Sequence, residues 1–134
     1  MLNECLCFQL GNLSKHITEH YRHHINSFNL THPQYFMLMA VIEFEGSSQT
    51  ELAAHTNSDR TTTTGLIDRL ERDEWVKRLP DPNDRRILRI FLSPKGKKNR
   101  NKLIDIYNNV NESFRKRYSL NEWKQFQKLL NKLK

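Results

Sequence analysis

A chain of 134 residues has room for one domain with a modest core and is too short for two. Its 22 Lys and Arg outweigh 15 Asp and Glu, a net charge of +7 with an isoelectric point near 9.6, so the surface suits a polyanion: DNA, RNA or an anionic membrane face. No apolar run approaches the roughly 20 residues that cross a bilayer, the N-terminus lacks a signal peptide's basic start and apolar core, and two cysteines two positions apart make neither a disulfide framework nor by themselves a zinc site, so a cytoplasmic protein is expected.

From Leu6 the apolar residues recur at Leu6, Leu10, Leu13, Ile17, Tyr21, Ile25 and Phe28, in steps of three and four that trace one face of a long helix. Phe8 falls on the opposite side. A terminal helix that is apolar on more than one side needs a partner, here the C-terminal region of a second copy. His16, His20, His23 and His24 share a flank of this helix, with His16 and His20, and His20 and His24, four apart and able to share a metal ion; Glu19 lies about a quarter-turn round. That spacing matches no metal signature, and histidines partly exposed near an interface are the plainer reading, so no metal ligand is assigned. The residue before Pro33 is biased away from helix, which puts a break between Phe28 and Pro33. From about Pro33 to Glu45 the residues Tyr35, Phe36, Leu38, Met39, Val41 and Ile42 predict a helix too apolar to be exposed, ended by Gly46 and Ser47.

Ser48-Gln49-Thr50-Glu51 is a capping box, in which the Ser48 hydroxyl accepts from the Glu51 amide while Glu51 reaches back to the Ser48 amide. The short helix it opens turns Leu52 and Ala53 inward. Thr56-Asn57-Ser58 supplies turn chemistry and a cap for the next helix, which Asp59 enters with a charge suited to its positive end. This second helix should run from about Asp59 to Asp73. At about 100° per residue, Thr63, Leu66, Ile67 and Leu70 fall on one face, and Thr61, Thr62, Thr64, Gly65, Asp68 and Arg69 on the other. Four consecutive β-branched threonines weaken intrinsic helicity, so packing of the Leu66, Ile67 and Leu70 face has to hold the helix. Hydroxyls and methyls near a helix N-terminus suit phosphate oxygens, base edges and thymine methyls in a major groove; an ordinary solvated helix face has the same composition.

Val76 to Leu79 and Ile87 to Leu92 can pair as strands around the turn Pro80-Asp81-Pro82-Asn83-Asp84, with Arg85 and Arg86 at the end of the loop. A guanidinium on a hairpin tip can enter a narrow minor groove, and Asp84 beside it can hold its orientation. Helix, turn, helix and charged hairpin in this order predict a mainly α fold with a small β wing, a winged helix-turn-helix. Beyond the wing, Ser93 and Pro94 cap and start a helix carrying Leu103, Tyr107, Val110, Phe114 and Tyr118 on one face. Its basic start, Lys95, Lys97, Lys98, Arg100 and Lys102, reads as a solvated face rather than a phosphate track. Ser119 caps a last helix with Leu120, Trp123, Phe126, Leu130 and Leu133. The first helix and these two are expected to form a dimer interface, the alternative being an intramolecular bundle.

Leu30-Thr31-His32-Pro33-Gln34-Tyr35-Phe36, Gln49-Thr50-Glu51-Leu52-Ala53, the run from Arg60 to Arg72, and Asp81-Pro82-Asn83-Asp84-Arg85-Arg86 resemble, in order and spacing, the motifs of the MarR family of winged-helix transcriptional regulators. The resemblance covers nearly the whole chain. It implies a homodimer, with residues 1–30 and 94–134 as dimerisation helices and 31–93 as the DNA-binding region, on an inverted repeat in double-stranded DNA. Such regulators usually repress and are often released by a small ligand or an oxidant. On this reading Ser48 and Gln49 face phosphates, Thr61, Thr62, Thr64 and Arg69 lie in the major groove, Arg85 reaches the minor groove, and Arg60, Asp84 and Arg86 belong to the same DNA-binding surface. Gly65 stands where the family often has a long polar or basic residue, which removes a contact and points to a different operator.

Cys7, in Leu6-Cys7-Phe8-Gln9-Leu10, resembles the cysteine of the organic-hydroperoxide and redox-sensing branch, which is oxidised to sulfenic acid so that the dimer leaves DNA. Tyr21 falls where that branch has a tyrosine that helps hold the sulfur. Two further tyrosines of the branch fall at Gly11 and His32 here, so the sensing site is incomplete. The rivals are a cysteine used as a small buried hydrophobe, a small aromatic ligand between the dimer helices and the DNA-binding region, and a metal-responsive member of the family. A regulator that acts mainly through protein contacts, binding DNA without sequence preference, is the alternative function. No Gly-rich phosphate loop, paired catalytic carboxylates or Ser-His-Asp arrangement can be assembled, so neither an enzyme nor a cofactor is expected.

Overall fold

The computed structural model describes the chain from Met1 to Lys134. Six α-helices and one antiparallel hairpin follow in the order α1 (Leu6–Ile25), α2 (His32–Glu43), α3 (Gln49–His55), α4 (Arg60–Arg72), β1 (Val76–Pro80), β2 (Leu88–Leu92), α5 (Pro94–Arg115) and α6 (Leu120–Asn131), with short 3-10 turns at Leu2–Glu4 and Asn26–Phe28. This is the expected mainly α fold with a β wing. No helix is long and apolar enough to cross a membrane.

The apolar helix α2 is the centre of the core, with Tyr35, Leu38 and Val41 fully buried. It begins at His32, one residue before the expected start, because Thr31 and Gln34 form a capping box that absorbs the extended backbone: Thr31 N–H donates to Gln34 Oε1 at 2.9 Å and Gln34 N–H to Thr31 Oγ1 at 3.4 Å. It ends at Glu43 rather than Glu45, and Gly46 turns the chain at a φ of 89°, where a side chain would be strained. Tyr35 donates its hydroxyl to the Leu103 carbonyl at 2.8 Å, tying α2 to α5. Trp75, Ile90, Leu92 and Leu103 close the core from the wing and α5.

The hairpin pairs Val76 with Leu92, Arg78 with Ile90 and Pro80 with Leu88. Gly46 N–H donates to Ile90 O at 2.8 Å and Ile90 N–H to Ser47 O at 2.9 Å, so the segment before α3 lies along the wing and fixes α3 against it. The two chain ends are different. In α1 only Tyr21 and Ile25 are buried, while Leu6 and Leu13 remain 51% and 56% exposed; in α6 no residue is buried.

Candidate nucleic-acid interface

Helix α4 is anchored as its periodicity requires, through buried Thr63, Leu66, Ile67 and Leu70. Its cap is Asp59 itself rather than the preceding turn: Oδ1 accepts from Thr62 N–H at 2.7 Å and Oδ2 from the Thr62 hydroxyl at 2.9 Å. These bonds hold the Asp59 carboxyl below the usual aspartate range. Thr63 and Thr64 donate their hydroxyls back to the carbonyls of Asp59 and Arg60, both at 2.9 Å, which makes the β-branched run tolerable in a helix. Thr61 is the one threonine of the four whose hydroxyl has no partner in the chain, and it lies exposed beside exposed Arg60. Arg69 is exposed on the same helix, two turns on.

Ser48 and Gln49 both bond within the chain. The Ser48 hydroxyl accepts from Glu51 N–H at 3.2 Å and Ser48 N–H donates to Glu51 Oε2 at 2.7 Å, the expected capping box. Gln49 Nε2 donates to Thr64 Oγ1 at 2.7 Å, and Gln49 Oε1 accepts from Arg78 Nη2 at 3.3 Å. The side chains of Gln49 and Thr64, expected to reach outward, therefore bond each other.

The wing turns on Asp81, a buried carboxylate. Its Oδ1 accepts from the Asn83 and Asp84 amides at 2.7 and 3.1 Å, while Oδ2 pairs with Arg89, whose Nη1 donates to Gly46 O at 3.0 Å. Arg89 first, and then the Asn83 amide, hold the Asp81 carboxyl below its ordinary range. Of the two arginines at the tip, Asp84 orients Arg86: two bonds of 3.0 Å grip the guanidinium and Arg86 N–H donates to Asp84 Oδ1 at 3.1 Å. The loop brings the amide two residues on to the carboxylate, and the side chain follows it. Arg85 is left exposed, bonded to no other side chain. Arg60, Arg86, Ile87, Leu88 and the start of α3 then enclose a cleft of about 610 Å³ between the two helices and the wing.

Four contributors escaped the sequence reading. Arg78 and Asp81 organise the surface without lying on it, and the exposed apolar side chains of Ile87 and Leu88 wall the cleft. The signal for Arg78 was strand alternation, since it shares with Val76 the face of β1 that turns inward.

The model of the MarR family matches residues 30–88. The HTH-type transcriptional regulator SarZ of Staphylococcus epidermidis is 33% identical over 113 residues, which span 84% of this chain and 76% of that protein. The chain belongs to the MarR family. Its fold superposes on the S. aureus MepR–DNA complex with a TM-score of 0.89 at 21% identity over 96% of each chain. A second structure, of Bordetella bronchiseptica BpsR, concerns regulation of its DNA binding by 6-hydroxynicotinic acid; it matches with a TM-score of 0.83 at 22% identity over 97% of this chain and 93% of that one. As a MarR-family member, the chain is a DNA-binding transcriptional regulator.

The sensing residues of this MarR-family chain do not meet within it. Cys5 and Cys7 are free thiols, exposed in the single chain at the start of α1. Tyr21 lies 14 residues further along the same helix, about 21 Å at 1.5 Å per residue. It is buried, its hydroxyl accepting from Asn111 Nδ2 at 2.9 Å, and burial pushes its phenol upward. Of the histidines, His16 and His20 meet edge to face at 5.1 Å, and His20 packs on Phe114 at 4.9 Å. No three His, Cys, Asp or Glu residues are grouped to hold a metal ion. A cavity of about 640 Å³ opens between α2, the end of α3 and α5, lined by Phe36, Met39, Phe44, Arg100, Ile104 and Tyr107 among others.

Proposed function

We propose that the chain works as a homodimer that recognises an inverted repeat in double-stranded DNA, that it represses, and that a small aromatic ligand releases it. The observation that carries the DNA reading is the division of labour on the α4 and wing surface. Ser48, Gln49, Thr62, Thr64 and Asp84 are bonded internally, while Arg60, Thr61, Arg69 and Arg85 are exposed and held by no side chain. Free guanidiniums and a hydroxyl on a rigid helix and a hairpin tip are the groups that suit base edges, phosphates and a narrow minor groove. In this account α4 enters the major groove through Thr61 and Arg69, Arg60 meets the backbone, and Arg85 enters the minor groove.

The terminal helices support a dimer. Leu6, Leu10, Leu13 and Ile17 of α1 and Leu120, Phe126 and Leu129 of α6 are all more than a third exposed, too much apolar surface for two helices to leave in water. A two-fold axis through these ends sets the two α4 helices against two half-sites about one helical turn apart. The cavity supports the ligand: its volume fits a small aromatic, Phe36, Phe44 and Tyr107 supply apolar walls, and Arg100 supplies a cation for an acid. It lies between α2 and α5, next to the helices assigned to the interface. Cys7, a free thiol near the start of α1, is the group an oxidant would reach as a second trigger.

Sedimentation equilibrium with a cognate duplex tests the assembly. Two chains per duplex are expected; one chain per duplex overturns the dimer. Adding 6-hydroxynicotinic acid or peroxide to the complex then separates the triggers: release by the acid alone supports the cavity, and release by peroxide that Cys7→Ser abolishes replaces it with the thiol.

A further inference from the structure

We propose that Arg78 is the positioning residue of the DNA-reading surface: one guanidinium sets α3, α4 and the wing at a fixed mutual angle, and sequence discrimination depends on it though it reads no base. Arg78 sits on β1 opposite Ile90, and its side chain is only 13% exposed. Nη1 donates to Glu71 Oε1 at 2.8 Å, and Nη2 donates to Asp68 Oδ1 and, at 3.3 Å, to Gln49 Oε1. Its own amide donates to Glu71 Oε2 at 3.2 Å. Gln49 passes the connection on through Nε2 to Thr64 Oγ1 at 2.7 Å.

The apolar packing beneath α4, through Leu66, Ile67 and Leu70, holds the inner face of the helix on the core, and the hydrophobic drive behind it is non-directional; it does not reach the outer face, where α3 and the wing meet α4. A planar guanidinium whose donors are fixed in a fork supplies the missing direction. Isolated surface ion pairs contribute little, but here the guanidinium is largely withdrawn from water, though Asp68 and Glu71 stay partly exposed, and its bonds join three elements, where a network outweighs its separate pairs. The arrangement also explains why Gln49 and Thr64 face the cleft without being free to read it: both are struts. A role as a plain cation for DNA does not account for the site, because Arg78 is set against two carboxylates, Asp68 and Glu71, on the helix that approaches the phosphates.

The inference rests on the DNA-binding reading, and its test keeps the two apart. The wild-type chain is used to select its best duplex from a random pool. Affinities for that duplex and for a scrambled one of equal composition are then measured at several salt concentrations, for wild type, Arg78→Lys and the triple variant Arg78→Met, Asp68→Asn, Glu71→Gln. Lysine keeps the charge but, as a single ammonium, cannot join three elements with a fork. The expected result for Arg78→Lys is a fall of about tenfold or more in the ratio of specific to scrambled affinity, with scrambled affinity and salt dependence unchanged. The triple variant removes the network while making the site less negative, so it should lose discrimination and hold scrambled DNA at least as well. Partial unfolding lowers both affinities together and leaves the ratio alone, which separates positioning from mere stability. A ratio preserved in Arg78→Lys overturns the proposal, as does a loss equal on both duplexes with a shallower salt slope, the mark of a direct phosphate contact. If the triple variant does not fold, Arg78→Lys decides. A wild type that discriminates nothing overturns the sequence-specific reading and this proposal together, while leaving backbone binding in place.

Discussion

Arg85→Ala is the substitution for which fold and function should separate most cleanly. The side chain is exposed at the wing tip, and neither Asp84, which grips Arg86, nor Asp81, which grips Arg89, is spent on it. Its removal deletes no bond within the chain, so the cost to stability should stay within about 0.5 kcal/mol, as for surface positions without partners. Loss of a groove contact costs about 1–3 kcal/mol per wing. A dimer loses it at both half-sites, so binding to a full inverted repeat should weaken by about 2–6 kcal/mol, if distant sites add. The salt dependence should also become shallower as counterion release is lost. Fluorescence anisotropy with a labelled duplex at fixed salt, beside a thermal melt, reads both quantities. Unchanged affinity with an unchanged melt would remove Arg85 from the mechanism. A collapsed melt would refute the claim that Arg85 is free of structural duty.

Gly96→Ala should destabilise the fold by about 1–2 kcal/mol despite alanine's better helix propensity. The added Cβ would lie 2.4 Å from the Trp75 carbonyl oxygen, backbone that cannot yield, so a melting temperature that rises would contradict the packing at the start of α5. Glu74 sits at a φ of 63° just past α4, where Trp75 N–H closes back on Leu70 O at 2.8 Å, so Glu74→Gly should relieve about 1 kcal/mol of left-handed strain and raise the melting temperature. Asp81 has a carboxyl held below the ordinary aspartate value of about 3.9, so its contribution is complete above that value and is lost as pH falls through the lower, folded value. Stability should therefore drop below about pH 4, and Asp81→Asn should lower the melting temperature at neutral pH while flattening its acid dependence; an unaltered profile would remove Asp81 as the anchor of the wing.

Elements whose signals are local were legible in the sequence. The Ser48–Glu51 capping box, the Ser93–Pro94 and Ser119 starts, and the inward set Thr63, Leu66, Ile67 and Leu70 all appear where periodicity and capping put them. The start of α2 was misjudged because the residue before a proline is read as extended, whereas the Thr31–Gln34 box moves that extended residue back by one. The choice of Arg86 over Arg85 by Asp84 depends on loop dihedrals that composition does not specify. Arg78 and Gln49 are 29 residues apart, and their contact exists only once β1 lies under α4. Apolar faces on α1 and α6 were equally plain in the sequence, and they stay exposed in the single chain.

Sequence reading by α4 and the wing of this MarR-family chain is open to a single decisive test, selection of bound duplexes from a random pool by reduced protein at fixed near-physiological salt. Enrichment of an inverted repeat with half-sites about one helical turn apart is expected. Salt-sensitive binding with no enriched sequence would contradict it and leave a protein that holds the DNA backbone alone and acts through protein contacts.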